Sequence, residues 1–538
     1  MKRKKNNSND IIEYILTIIT IVNILVVAKI LGLAGIGYFA VALTFVYVLT
    51  AFSSGWTSNF LAKYIKGRSA RKQYRNASNF FRAAMLTVGL LNLLLAILLF
   101  TFGNILGNRL LKDVHIGYCI CIAAPILFLY AVSAVFCGYF KGLGMHRPVM
   151  IYQIIRQIIT FSGSICFMKL AMNYGIKVSA LLQNENITFI YGAFGAIIGF
   201  VAGHVFGMIT LLVFWFLFHG ELSRLANTDS TKYSESIFDC IRIIFISGLL
   251  GGFKNVLFLS APMLNYILYV LFKKSSGADT GLVFGGCLFG IAIPCMILMI
   301  SIFMILNHKG YRGMTNLIRN EDYAQVKSRH YNMLLGICSF GIFSCVGFAV
   351  LTPILTDFLT PSITESQSTL ILSVVACAIL VIAEIVQIRL HTLMNHKAFV
   401  YLCAFAGFVL QTIAFIIGYK VLKMGNNSIL LGVAINAIVI NLLCAFRINR
   451  KIRFNSAYIR RLIMAGIVAF AGALLILLTY QLLKEVLSGI ILFVICLLPG
   501  FIVYVLGMVF LQIIDYDEAE QVPFGSVILQ AARLLHRE

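Results

Sequence analysis

Residues 11–32 read IIEYILTIITIVNILVVAKILG and carry two charges, Glu13 near the start and Lys29 near the end. A helix rises 1.5 Å per residue, so this run is about 33 Å long, enough to cross a hydrocarbon core of roughly 30 Å. The segment therefore predicts a transmembrane helix, and the same criterion applies to the rest of the chain.

Thirteen further apolar runs of this kind follow, separated by polar breaks. They lie at 38–62, 82–103, 115–138, 150–171, 188–218, 241–272, 281–306, 331–356, 368–391, 398–420, 427–446, 460–483 and 487–513. The fold class predicted is an all-α polytopic membrane protein with about 14 transmembrane helices. The runs 188–218 and 241–272 are longer than one straight span requires, so we expect tilt or a break in each.

The composition supports this interpretation. Of the 538 residues, 60% are apolar and 12% are charged, whereas soluble proteins have about 25% charged residues. The composition excludes a set of soluble domains, and it removes nucleic-acid binding as the reason for the net charge of +23. The thirteen cysteines lie mostly inside apolar runs without metal-ligand spacing, which is typical of small buried apolar side chains.

The basic residues divide unequally between the two sides of the membrane. The alternation of 14 spans places 32 Lys and Arg on one side and nine on the other, leaving Lys29 and Lys254 inside helices. By the positive-inside rule, both termini of this multi-pass protein are predicted to be cytoplasmic.

The order of spans and polar segments predicts four parts. Residues 1–219 form an N-terminal six-helix lobe, 220–239 a cytoplasmic linker and 240–446 a C-terminal six-helix lobe, while 447–538 hold helices 13 and 14 and a cytoplasmic tail. Two six-helix halves in the same orientation are typical of transporters built from parallel repeats.

A search for enzymatic chemistry finds no nucleotide-binding loop, no metalloprotease helix and no nucleophile elbow. We therefore predict no catalytic residue, no metal site and no cofactor, and a protein that is not an enzyme. The candidates that remain are charges inside helices, where each is costly and is by default a functional hypothesis.

Lys254 is the deepest of these charges. It lies in the run SGLLGGFKN, residues 247–255. This position is too far from either end of the predicted helix for the lysine side chain to reach water easily. We expect it to face a wet cavity together with Asn255, and the glycines of the run and Pro262 to let this helix bend. The alternative is a structural ion pair with a carboxylate of the bundle.

Three further charges are candidates, each with a structural alternative. Lys29 and Arg156 could bind substrate, or their side chains could extend along the helix to the nearest interface. Glu384, with Gln387 and His391 on its helix face, could couple ions or balance charge, or it could pair with a basic residue. A cavity whose deep charges are basic favours an anionic substrate, since phosphate oxygens accept charge-assisted hydrogen bonds.

Four glycines at a spacing of four, Gly195, Gly199, Gly203 and Gly207, predict a helix face that another helix approaches closely.

Several segments, in order along the chain, resemble a known family. They are AKILGLAGIGY at 28–38, GYFKG at 138–142 followed by QIIRQ at 153–157, YGAFGAIIG at 191–199 and FGGCLFGIAIP at 284–294. With the 14 spans they resemble the polysaccharide-transporter branch of the multidrug/oligosaccharidyl-lipid/polysaccharide exporter superfamily, in particular its stage V sporulation protein B group and its flippases for lipid-linked oligosaccharides and lipid II. Lys29 matches the basic position of the first helix in that family.

The resemblance implies a flippase that moves a polyprenyl-pyrophosphate-linked saccharide across the cytoplasmic membrane by alternating access. Its expected partners are the anionic lipid-linked substrate and membrane lipids, with proteins of cell-envelope biosynthesis left open and no nucleic acid. The alternatives are a cation-coupled multidrug antiporter of the same fold, a membrane glycosyltransferase and a non-transporting scaffold. The antiporter requires acidic groups in its cavity, yet the first helix offers Asn23 and Lys29.

Overall fold

The computed structural model describes the chain outside residues 1–4, 228, 230–233, 274–277, 308–309, 311–313, 360–363, 452–455, 488, 515–521, 523–524 and 535–538. The described residues form helices and connecting turns and contain no strand. The helices up to residue 290 are α1 (Lys5–Ser53), α2 (Thr57–Ala70), α3 (Tyr74–Ala84), α4 (Leu90–Leu111), α5 (Val114–Ala123), α6 (Pro125–Gly142), α7 (His146–Leu182), α8 (Asn186–Asn227), α9 (Ile237–Leu259), α10 (Ala261–Phe272) and α11 (Ala278–Gly285).

The later helices continue the pattern to the C-terminal region. They are α12 (Ile293–Leu306), α13 (Met314–Arg319), α14 (Tyr323–Leu359), α15 (Glu365–Ala376), α16 (Ala378–Leu393), α17 (Lys397–Lys420), α18 (Asn427–Lys451), α19 (Ser456–Leu483), α20 (Gly489–Phe510) and α21 (Gly525–Leu534). Two π-helical segments, Met85–Gly89 and Gly286–Ala292, join α3 to α4 and α11 to α12.

In the described residues, thirteen helical segments are long and apolar enough to cross a membrane. The first, Ile11–Ala70, has 60 residues and contains two of the predicted spans, so the segments account for all 14. The protein is an all-α polytopic membrane protein, as the sequence predicts.

The first two predicted spans are separated by a break inside α1. Gly32 has φ 66° and ψ −177°, a conformation that is essentially restricted to glycine because it lacks a Cβ. The first regular segment of α1 therefore ends at Gly32, where span 1 is predicted to end.

The two over-long runs have different outcomes. The run 241–272 is broken at Ser260, and the next helix has Pro262 in its first turn. Proline is tolerated there because the N–H groups of the first turn have no acceptor within the helix. The run 188–218 has no break and lies within the continuous α8. At 1.5 Å per residue this helix is about 63 Å long and must extend beyond one bilayer core.

Packing divides the chain into two compact units, residues 22–290 and residues 1–21 with 291–538. In the first unit, α7 and α8 pack together along the predicted glycine face: a Cβ added at Gly195 or Gly199 would lie within 2.3 Å of the α7 backbone. The predicted close approach is confirmed.

In the second unit, the apolar core lies between α14, α19 and α20, and the amphipathic α21 contributes Ile528 and Ala532 to it. A neighbouring core joins α12, α14 and α16 through Phe303, Met333 and Val386. The division into six-helix lobes at 220–239 stays a prediction.

Candidate functional site

Lys254 and Asn255 lie on α9. Ser236 caps the start of this helix, because its hydroxyl oxygen accepts a hydrogen bond from the Asp239 backbone N–H at 3.1 Å. The glycine face of α9 packs directly on the end of α1: a Cβ at Gly252 would lie 2.2 Å from the Phe52 carbonyl oxygen. Asn255 Nδ2 donates to the Ala51 carbonyl oxygen at 3.1 Å and fixes this pairing.

Lys254 lies beside this packing face and is half-buried. It makes no hydrogen bond or ion pair with any residue that the structure describes, so the expected alternative of a structural pair with a carboxylate finds no support there. A half-buried ammonium inside a span without a counter-charge is costly. It would gain free energy from an anionic ligand.

Arg156 lies on α7, where its guanidinium carbon stands 5.7 Å from the centroid of the Tyr152 ring. The phenol groups of Tyr152, Tyr47 and Tyr130 are its electrostatic neighbours. The residue is partly buried, and its backbone carbonyl would meet a Cβ at Gly203. Within the described chain it pairs with no carboxylate. The guanidinium therefore faces one aromatic ring and has two further phenol groups within electrostatic reach.

His204 on α8 belongs to the same surroundings and is not evident from the sequence. It is 3% exposed, and its Nδ1 lies 2.9 Å from the Phe200 carbonyl oxygen. Because a carbonyl only accepts, Nδ1 carries the proton, and the neutral ring presents a lone pair at Nε2. That nitrogen has no hydrogen-bond partner among the described residues. Asn23 lies deeper in this unit, where it accepts from Ser164 Oγ at 2.8 Å.

Lys29 is exposed on α1, three residues before the break at Gly32. Among the described residues, Lys254 forms no hydrogen bond or ion pair that would join it to Lys29 or Arg156.

Glu384 lies in the other unit, on α16, and is 6% exposed. The predicted face is present, since Gln387 and His391 are buried on the same helix. Among the described residues Glu384 forms no hydrogen bond and no ion pair. A structural pair with a basic residue is therefore not found in that part of the chain, and the carboxyl group stays available for a proton or a cation.

The described residues contain no group of three His, Cys, Asp or Glu side chains placed to hold a metal ion. They do contain an ion pair that the sequence does not reveal, between Arg68 of α2 and Glu235. Arg68 Nε donates to Glu235 Oε2 at 2.9 Å, and the guanidinium stacks 4.7 Å from the Phe80 ring centroid.

Comparison with known proteins supports the resemblance stated from the sequence. Residues 9–238 match the family described as polysaccharide biosynthesis protein. Over 192 residues the chain is 24% identical to stage V sporulation protein B of Bacillus subtilis (strain 168), a match that covers 36% of this chain and 35% of that protein. The match thus spans about a third of the relative's length.

Two solved structures are similar in fold over most of the chain. The lipid II flippase MurJ in an inward closed conformation has a TM-score of 0.62 at 14% identity, covering 93% of this chain and 98% of that one. An inward-facing multidrug resistance MATE family transporter of the MOP superfamily has a TM-score of 0.58 at 12% identity, covering 81% and 95%. The resemblance to the polysaccharide-transporter branch of this superfamily is confirmed.

Proposed function

We propose that the protein is a flippase that moves a polyprenyl-pyrophosphate-linked saccharide from the cytoplasmic to the outer leaflet of a bacterial inner membrane. The observation that carries the proposal is the presence of two cations inside spans, Lys254 and Arg156, without a carboxylate partner in the described chain. Such cations favour an anionic cargo, and a diphosphate offers several acceptor oxygens. The similarity in fold to the lipid II flippase MurJ supports the same class of cargo.

In this proposal Lys254 holds a phosphate oxygen in competition with water, helped by Lys29 and Arg156. Asn255 keeps the position of Lys254 through its bond to Ala51 and retains its side-chain oxygen for a saccharide hydroxyl. The polyprenyl tail stays in lipid, and two six-helix lobes, 1–219 and 240–446, alternate access around the cations. Both termini lie in the cytoplasm. Glu384 balances charge or couples an ion.

The second candidate is a cation-coupled multidrug antiporter of the same fold. The buried and unpaired carboxyl of Glu384 favours it, as does the fold shared with the multidrug transporter. It predicts transport of organic cations that depends on Glu384 and gains from removal of Lys254, because a cavity lysine repels a cationic cargo. A membrane glycosyltransferase would instead release a nucleotide from an activated sugar.

The test is translocation in reconstituted vesicles of a fluorescent polyprenyl-diphosphate disaccharide, followed by chemical quenching of the label in the outer leaflet. Loss of one hydrogen bond to a charged group costs about 1.5–3 kcal/mol. Lys254→Ala should therefore lower the rate about tenfold to hundredfold, and Lys254→Arg should retain more activity than Lys254→Ala. The matched control is Lys177→Ala, which removes an exposed lysine of α7.

A wild-type rate for Lys254→Ala would remove the phosphate-binding role. Equal transport of a neutral alcohol carrying the same saccharide would remove the anionic cargo itself. Proton- or sodium-driven movement of an organic cation, with no movement of the disaccharide lipid, would establish the antiporter instead.

A further inference from the structure

Three buried polar side chains lie along one face of α16. Glu384 is 6% exposed, Gln387 is 6% exposed and His391 is fully buried. The seven residue steps from Glu384 to His391 correspond to about 10.5 Å of helix. Polar and ionisable side chains at this depth in a span are costly and mark ion or proton paths by default.

The cytoplasm-side end of this face is an imidazole pair. His391 Nδ1 lies 3.3 Å from Nδ1 of His396, which follows the end of α16 in the turn to α17. His391 Nε2 lies 3.1 Å from the Cys444 carbonyl oxygen of α18. Because a carbonyl only accepts, His391 Nε2 carries the proton, and His396 Nδ1–H must donate to the lone pair of His391 Nδ1.

This arrangement can pass a proton from His396 towards Glu384. A proton that binds His396 at Nε2 allows the bridging proton to move to His391 Nδ1, which leaves His396 neutral and His391 charged. His391 then gives its Nε2 proton to a water beside the Cys444 carbonyl, and a proton of that water passes to the Glu384 carboxylate. One proton enters at His396 and one binds to Glu384, no electron moves, and both rings return to their first tautomers before the next transfer.

The release side leads to Glu384. Cys444 relates the two groups, since its carbonyl oxygen lies 3.1 Å from His391 Nε2 and its thiol is within electrostatic reach of Glu384. Between them, Gln387 Nε2 donates to Asn441 Oδ1 at 3.0 Å, and the buried Gln387 Oε1 accepts no hydrogen bond in the described chain. That oxygen is placed to bind a water between the imidazole and the carboxyl group.

A cavity lies beside this face. It has a volume of about 680 Å³ and is lined mostly by apolar side chains, with Gln387 of α16, His330 and Tyr331 of α14 and Asn449 of α18 as its polar groups. Waters bound at these groups would have hydrogen-bond partners.

Other charged and ionisable groups surround the pair. His330 and Arg447 are positive or potentially positive neighbours of His391. The packed helices contribute these groups: His330 from α14, Arg447 and Cys444 from α18, Cys403 from α17, and Glu384 from α16 itself, while α12 carries no charged residue. Arg447 is turned over the Phe399 ring at 4.5 Å.

We propose that His396, His391 and Glu384 form a proton pathway in the unit of residues 291–538, with His396 as the cytoplasmic entry and Glu384 as the proton-binding end. The pathway deepens the proposed function, because it assigns a proton to the movement of the lipid-linked saccharide. Its existence does not require that cargo.

The test measures proton arrival at Glu384 in the full-length protein in vesicles of phosphatidylethanolamine and phosphatidylglycerol. A jump from about pH 8 to about pH 5, the range in which imidazoles change charge, is followed by time-resolved infrared spectroscopy of the carboxyl C=O band. The band of Glu384 is the one that Glu384→Gln removes. We expect His391→Gln and His396→Gln to slow its appearance at least tenfold while its final amplitude stays unchanged.

The controls separate transfer from structure. His219→Gln removes an exposed imidazole of α8 and should leave the rate unchanged. Rates are compared only among variants whose melting temperature equals that of the wild type. His396 lies outside the helix, so its variant stays informative if His391→Gln fails to fold. A wild-type rate in His396→Gln, or the absence of any carboxyl band that Glu384→Gln removes, would overturn the pathway.

The same preparation distinguishes this inference from the proposed function. Lys254→Ala should retain the infrared band and its rate while it loses disaccharide translocation. If the wild type shows the proton kinetics but moves no saccharide lipid, the flippase proposal fails and the pathway stands. If it moves the lipid and Glu384 takes up no proton, the pathway fails and the flippase proposal stands.

Discussion

Gly199→Ala places a methyl group where α7 and α8 leave no space for it. The added Cβ would lie 2.2 Å from the Ser164 nitrogen and 2.4 Å from the Gly163 carbonyl carbon, whereas ordinary contact begins at 3.4 Å. Backbone atoms cannot rotate away as a side chain can, so the two helices must separate by about 1.2 Å at this level.

The magnitude follows from what this separation breaks. A gap of 0.5–1 Å already removes a quarter to a half of each dispersion contact, and overpacking typically costs about 1–3 kcal/mol. Ser164 also donates to Asn23 at 2.8 Å, a buried bond worth about 1 kcal/mol. We expect the free energy of unfolding to fall by about 2–4 kcal/mol.

The assay is titration of the purified protein in mixed micelles with a denaturing detergent, followed by tryptophan fluorescence. Trp215 on α8 and Trp56 are the two tryptophans. Gly220→Ala on the same helix is the matched control, because its Cβ would meet nothing within 4 Å and alanine favours a helix by up to about 1 kcal/mol. The two substitutions should shift stability in opposite directions. A loss below about 0.5 kcal/mol for Gly199→Ala would refute the packing that the reasoning assumes.

Two further predictions concern single positions. Glu235→Gln should lower the free energy of unfolding by about 1–2 kcal/mol, because the Arg68 guanidinium loses a charged acceptor in a partly buried site. A double-mutant cycle with Arg68→Lys measures the pairing, and losses that simply add would contradict it. Gly32→Ala should cost about 1–3 kcal/mol through backbone strain alone, since its Cβ has open space but its φ is 66°. Gly67→Ala, at a helical glycine with open space and ordinary φ, is the control; equal stability of the two variants would argue against the break in α1.

The spans and the glycine face were predictable because each depends on a local pattern. An apolar run of about 20 residues fixes a span whatever lies beside it, and a repeat of four places Gly195, Gly199 and Gly203 on one side of a helix. The two breaks also have local causes, a glycine at residue 32 and Pro262 after Ser260. Residue propensity and hydrophobic periodicity are therefore enough to predict the spans, the glycine face and the helix breaks.

The surroundings of the candidate residues were not predictable for the opposite reason. Arg156 was recognised as a charge in a helix, but its aromatic neighbours Tyr47 and Tyr130 come from α1 and α6. Arg68 and Glu235 are separated by 167 residues. His391 was placed on the face of Glu384, whereas His396 reaches it only because Asn395, at φ 60°, turns the chain back after α16. Such contacts depend on how helices meet, which no single segment encodes.

The contacts of Glu235 also bear on where the proposed alternation of access bends the chain. Its backbone N–H donates to Asn76 Oδ1 at 3.0 Å, its carbonyl accepts from Asn79 Nδ2 at 3.0 Å, and its carboxylate accepts from Arg68. The last residues of the predicted linker are thus bound to α2 and α3, and α9 begins two residues later.

A hinge inside residues 220–239 would have to break these bonds each time the lobes rock. Pro262 already interrupts the hydrogen-bond ladder between α9 and α10, but α10 belongs to the same compact unit, where Lys112 Nζ donates to the Leu271 carbonyl oxygen at 3.3 Å. If the lobes alternate as proposed, we therefore expect α9 and α10 to move together with α2 and α3. Lys254 would then travel with the N-terminal helices, and its distance from Ala51, fixed through Asn255, would stay constant through the transport cycle.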